Sequence, residues 1–159
     1  MAEQLRIGFV GVGLMGHGMA KNLLAKGFPV ALLGNRNRGP VEDLKARGAV
    51  EEASPRALAE TTDAVILCLP NSAIVEQVVL GPDGILEAAR PGFVLVDSST
   101  AEPTSTKKVG AALAAKRGEA KLCELRGTAQ EMYESMTEAE LEELASTRRK
   151  NLPEHVDRN

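Results

Sequence analysis

GFVGVGLMGHGMAKNLLAK, residues 8–26, decides the reading of the fold. An apolar run from Leu5 to Val10 turns through Gly11, Gly13 and Gly16 and continues as a helix from Leu14 to Lys26, with Met15, Met19, Asn22 and Leu23 at helical spacing. Strand, turn and helix in that order, with glycines at G-x-G-x-x-G, form the arrangement that holds a dinucleotide pyrophosphate. Gly11 permits the tight turn, Gly13 lets the backbone approach the phosphates, and Gly16 lets helix and strand pack closely. The phosphates then meet the helix N-terminus, where unpaired N–H groups and the helix dipole favour negative charge. The alternative is a glycine-rich turn joining two core elements. The methionines of this helix read as core residues.

Downstream the pattern repeats. Phe28 to Leu33 is a second short strand, Pro40 to Arg47 a helix, and Gly48 to Val50 the start of a third strand. Ser54-Pro55 opens another helix, since serine caps and proline fits the first turn. Asp63 to Leu69 is a nearly continuous apolar strand, as expected of a parallel sheet covered on both faces. Asn71 or Ser72 caps the helix that follows, and Phe93 to Val96 is a fifth strand leading into Asp97-Ser98-Ser99-Thr100. Alternating strands and helices predict an α/β fold of the Rossmann type, a doubly wound parallel sheet. In such sheets ligands lie beyond the carboxyl ends of the strands, which makes Leu69, Pro70 and Asn71 candidates to touch a cofactor. A plain helix cap is an equal role for Asn71.

The end of the second strand bears on which cofactor. An acidic side chain there would accept hydrogen bonds from the ribose 2′-hydroxyl of NAD. Between Gly34 and Pro40 none occurs, and the chain offers Arg36 and Arg38. A guanidinium pairs with a 2′-phosphate, so NADP is favoured over NAD. Two solvated arginines in a polar loop are the other possibility.

Composition narrows the classes. The chain has 159 residues, 43% hydrophobic and 26% charged, with a net charge of −3, enough for one domain with a core. There is no global basic field and almost no aromatic surface (no Trp, one Tyr, three Phe), which argues against a nucleic-acid partner. No apolar run approaches the ~20 residues of a membrane span, so no membrane partner is expected. Two cysteines without a C-x-x-C spacing fit a reduced, cytoplasmic setting.

Taken together, GFVGVGLMGHGMAKNLLAKG, GNRN, LCLPNSAIVEQVVLGPDGIL and VDSSTAEPTSTKKV resemble the N-terminal domain of the β-hydroxyacid dehydrogenases, the group that includes 3-hydroxyisobutyrate dehydrogenase and is related to 6-phosphogluconate dehydrogenase. The resemblance runs from about Leu5 to about Lys116. It implies a cofactor turn at Gly11, Gly13, Leu14, Met15 and Gly16, an adenosine-phosphate contact at Asn35 and Arg36, and a passing segment at Leu69 and Pro70. It further implies that Ser99 meets a β-hydroxyacid substrate and Thr100 the nicotinamide, with Asp97 ordering the turn. Enzymes of that family go on to a Ser-Gly-Gly segment, a Lys-x-x-x-Asn helix carrying the catalytic lysine, and a large helical domain. Neither a Gly-Gly pair nor Lys-x-x-x-Asn occurs in this chain.

Two regions are therefore expected: a Rossmann domain over 1–116 and a charged, helical C-terminal extension over 117–159. The extension carries a capping box at Thr137 to Glu140. From about Gly110, GAALAAKRGEAKLCELRGTAQEMYESMTEAELEELASTRRKNLPEHV resembles a family of short uncharacterised bacterial proteins that end in a similar pattern. The functional expectation is an NADP-binding domain of a dehydrogenase, truncated before the catalytic lysine and weak or inactive alone. Its partners would be a small β-hydroxyacid, a second domain supplied in trans, or another copy of itself. The alternative expectation is a non-catalytic nucleotide-binding or partner-binding module with a helical interaction tail.

Overall fold

A computed structural model describes residues 4–34, 36–117 and 121–124, with Arg117 and the last four by backbone alone. In chain order the elements are β1 (Ile7–Val10), α1 (Leu14–Ala25), β2 (Val30–Leu33), α2 (Arg38–Ala46), β3 (Val50–Glu52) and α3 (Pro55–Thr61). They continue with β4 (Ala64–Leu67), α4 (Ser72–Leu80), α5 (Ile85–Ala88), β5 (Val94–Asp97), α6 (Pro103–Arg117) and β6 (Lys121–Glu124). All the strands pair in parallel, in the order β3-β2-β1-β4-β5-β6. The order reverses between β1 and β4, and this switch point is where the ends of two neighbouring strands leave a crevice.

Strand alternation explains why helices cover both faces. Along β1, Phe9 joins one buried cluster with Val12, Ala20, Leu32, Val41 and Leu44 from the α1–α2 side. The next residue, Val10, joins the other cluster, with Leu58, Leu67, Val75, Ile85, Phe93 and Leu113 from α3 to α6. Side chains of period two on every strand thus divide one sheet between two cores.

Helix ends follow the local chemistry. Gly27 (φ +85°) stops α1: its N–H donates to Leu24 O and that of Phe28 to Leu23 O, the paired bonds of a Schellman ending. Gly48 ends α2 in the same way. Ser54 Oγ accepts from Ala57 N–H at 3.2 Å and Asn71 Oδ1 from Ile74 N–H at 3.0 Å, so Asn71 rather than Ser72 caps α4. Ser72 Oγ instead accepts from Glu102 N–H at 2.8 Å, tying the start of α6 to that of α4.

Three features differ from the sequence expectations. Asn37 caps α2, which begins two residues before Pro40. The four-residue helix α5 falls in a stretch for which the sequence reading names no element. β6, which falls inside the expected extension, adds a sixth strand beside β5, and the compact unit runs to Glu124. The remainder of the charged, helical extension, with the capping box at Thr137 to Glu140, lies outside the described residues, as does Asn35.

Candidate cofactor site

The glycine turn connects β1 to α1 at the switch point. Gly11 has φ +94°, a conformation that side chains rarely adopt, and its Cα faces the carbonyl of Cys68 just beyond β4, where a Cβ would overlap. Gly16 packs inside α1 against the Gly11 carbonyl, with Phe9 Cε1 3.0 Å from the place a Cβ would take. Around Gly13 nothing lies within 4 Å of that place. One glycine makes the turn, one closes helix onto strand, and the middle one faces open space.

That space sits at the N-terminus of α1. Gly13 is the N-cap, no side chain caps it, and no acidic residue occupies the first turn. Because the first inward bond is His17 N–H to Gly13 O at 2.8 Å, the amides ahead of it are left open among the described residues. Leu14 is 96% exposed and Met15 73%, large apolar side chains at the mouth of the cradle. Met15 is therefore not the core residue that its helical spacing suggests. Met19 is, half-buried against the α1–α2 cluster. An uncapped helix start behind an unfilled glycine fits an anionic phosphate pair and leaves room for it.

Beyond the cradle, the ends of β4 and β5 are tied together. Leu69 N–H donates to Ser99 Oγ at 2.9 Å, and Ser99 N–H donates to the buried Asp97 Oδ1 at 2.9 Å. Asp97 orders the turn, as its place in the motif suggests. Ser99, for which the resemblance implies a substrate contact, is 6% exposed and accepts the Leu69 amide, which holds Leu69 in place and leaves its own O–H to donate. Pro70 and Thr100 are the exposed members of this edge and Leu69 is half-buried. Ser99→Ala should cost roughly 1–2 kcal/mol through the stranded Leu69 amide, read as a lower urea midpoint. An unchanged midpoint would remove this role.

At the end of β2 lies a pocket of about 840 Å³ whose walls include Leu33, Gly34, Arg36, Arg38, Lys45 and Glu51. The sequence offers no acid between Gly34 and Pro40, but the neighbouring strand brings one to the same place. β3 pairs with β2 (Leu32 opposite Glu51), and this brings the Glu51 carboxylate to the β2 tip. Arg38 grips it with both nitrogens, Nη1–Oε1 2.6 Å and Nη2–Oε2 2.8 Å, and also holds Glu42 Oε1 at 2.7 Å. Lys45 Nζ adds a bond to Glu51 Oε2 at 3.0 Å. Arg36 stands exposed on the same wall.

Hydrogen bonds from Arg38, then from Lys45, pull the Glu51 pKa from an ordinary 4.5 to about 2. Arg47, then His17, pulls Asp43 from 3.8 to about 2. Since both are depressed on folding, their contribution is whole above the ordinary values and is lost as pH falls toward about 2. Urea midpoints should hold from neutrality to about pH 5 and then fall, less steeply in Glu51→Gln. A slope that Glu51→Gln leaves unaltered would contradict this.

The chain matches the family model described as the NAD binding domain of 6-phosphogluconate dehydrogenase over residues 6–142. It belongs to that family. The match extends past Lys116, where the motif resemblance ends, and takes in β6. The domain is 39% identical over 118 residues to 2-(hydroxymethyl)glutarate dehydrogenase of Eubacterium barkeri, which covers 74% of this chain and 38% of the relative. It is 37% identical over 109 residues to the mitochondrial 3-hydroxyisobutyrate dehydrogenase of Mus musculus, covering 69% and 32%. Among solved structures it resembles 3-hydroxyisobutyrate dehydrogenase from Salmonella typhimurium (TM-score 0.67, 31% identity, 75% of this chain and 40% of that one). It also resembles Psf3 in complex with NADP+ and 2-OPP (TM-score 0.66, 32% identity, 73% and 40%). The chain thus spans 32–40% of the length of these relatives. Family membership makes it an NAD(P)-binding Rossmann domain. Among the described residues no helix is long and apolar enough to cross a membrane, and no group of side chains is set to hold a metal ion.

Proposed function

We propose that the domain binds NADP(H) in a β-hydroxyacid dehydrogenase and depends on residues outside it for proton transfer. The observation that carries this reading is the open cradle at Gly13, an uncapped helix N-terminus with nothing within 4 Å of its missing side chain. The amides from Gly13 to Gly16 would take the pyrophosphate, and Asn35 with Arg36 the adenosine phosphate. Leu69, Pro70 and Thr100 would border the nicotinamide, with Leu14 and Met15 giving apolar cover. When bound, the cofactor supplies the hydride acceptor for the alcohol carbon of a hydroxyacid. This domain orients it, and the Asp97–Ser99–Leu69 bonds stiffen the edge nearest the substrate.

No Lys-x-x-x-Asn occurs in these 159 residues, so the group that takes the hydroxyl proton must come from another domain, in the same chain or from a partner. A homo-oligomer would bring a second copy near the site without supplying that lysine. We place the protein in the cytoplasm, on the reading of its two cysteines as reduced thiols. The test is to mix the chain with NADP⁺ and 3-hydroxyisobutyrate and follow NADPH absorbance beside a binding titration. Saturable binding with turnover reduced by roughly 10²–10⁴-fold or more from a complete dehydrogenase is expected. Turnover at the full rate would overturn the dependence on an outside lysine, and absence of binding would overturn the reading itself.

A further inference from the structure

The pocket at the β2 tip holds more than a recognition arginine. Arg38 closes a two-point fork on Glu51, the arrangement a guanidinium otherwise makes with a phosphate, and Lys45 supports the same carboxylate from the side. The pair is pressed against the backbone where β2 ends, because a Cβ on Gly34 would meet Glu51 Oε1 and lie 2.7 Å from Arg38 Nη1. In a doubly wound sheet this is where the adenosine ribose comes to rest. We propose that Glu51 is a built-in competitor for the ribose 2′-phosphate. Its carboxylate occupies the cationic fork of Arg38, so a 2′-phosphate enters by displacing it, and Glu51 thereby sets how strongly the domain prefers NADP over NAD.

The inference rests on the cofactor reading above and deepens it. Its chemistry is partner exchange within one charge cluster. With Glu51 in place, an incoming phosphate gains Arg38 and meets a carboxylate beside it. A 2′-hydroxyl brings no charge, and the carboxylate can accept its proton in a hydrogen bond. Glu42 keeps its own bond to Arg38 at 2.7 Å, so the guanidinium stays anchored while its fork changes partner.

The experiment is a fluorescence titration of the chain and of Glu51→Gln with NADPH and with NADH. Glu51→Gln should tighten NADPH about tenfold, less at high salt, while NADH stays within about twofold or weakens. Adding Arg38→Ala to Glu51→Gln should abolish the gain. In the unaltered chain the Arg38 guanidinium NMR signal should move on adding adenosine 2′,5′-bisphosphate and stay still on adding 5′-AMP, an outcome that does not depend on any variant folding. Binding of both dinucleotides with a ratio unmoved by Glu51→Gln, or an Arg38 signal indifferent to the bisphosphate, overturns the inference and leaves the cofactor reading intact. Binding of neither dinucleotide by any of these chains overturns both.

Discussion

Gly11→Ala should lower the stability of the domain by roughly 3–5 kcal/mol and its melting temperature by about 10 °C or more. Two independent costs meet at this position. With φ +94° a methyl group is strained wherever it points. It would also overlap the Cys68 carbonyl, with the carbonyl carbon 2.8 Å away. Both are backbone atoms, and they cannot rotate aside as a flexible side chain would. Cys68 N–H is itself bonded to Val10 O at 2.9 Å, so relief would have to come from parting β1 and β4 at the middle of the sheet. Denaturation by urea or heat measures the effect. A loss within about 0.5 kcal/mol would mean that the turn relaxes freely and does not fix the strand–helix geometry.

Gly13→Asp, two residues along, should act in the opposite sense on the fold and strongly on the ligand. The position has φ −73°, which any residue adopts, and it is the uncapped N-cap of α1. Aspartate is a good N-cap and its charge suits the helix dipole, so stability should be unchanged or rise by a few tenths of a kcal/mol. The same carboxylate would stand in the space intended for phosphate. Affinity for NADPH and NADH should fall about a hundredfold or more through repulsion and loss of room. A melting curve beside a binding titration reads both effects. A variant that melts lower and still binds would invert the roles given to the two glycines.

Much of this could be read from the chain because its constraints are local. The glycine triplet demands a turn, a helix start and a close contact within six residues, and only one supersecondary unit meets all three. The stops at Gly27 and Gly48 and the caps at Ser54 and Asn71 are local in the same way. What could not be read depends on pairing between distant residues. Glu51 lies 13 positions beyond Arg38, and it reaches the β2 tip only because β3 pairs beside β2. The pattern GAVEE after α2 held the signal, two acids at a strand about to join the sheet edge. The motif points Ser99 at substrate, and only the pairing of β4 with β5 brings its hydroxyl to the Leu69 amide. Met15 fits a helical apolar stripe, but the helix starts so abruptly that its first turn overhangs the cradle instead of the core. β6 declares itself only through its pairing with β5, a long-range contact.

The most direct measurement is a titration of the chain with NADPH, with Gly13→Asp alongside at equal protein concentration. Saturable one-to-one binding by the parent chain, lost in a variant whose melting temperature is no lower, is the expected result. It would tie dinucleotide binding to the open glycine at the head of α1. Absence of binding by the parent, or equal binding by both, would contradict the claim that this turn is a cofactor cradle.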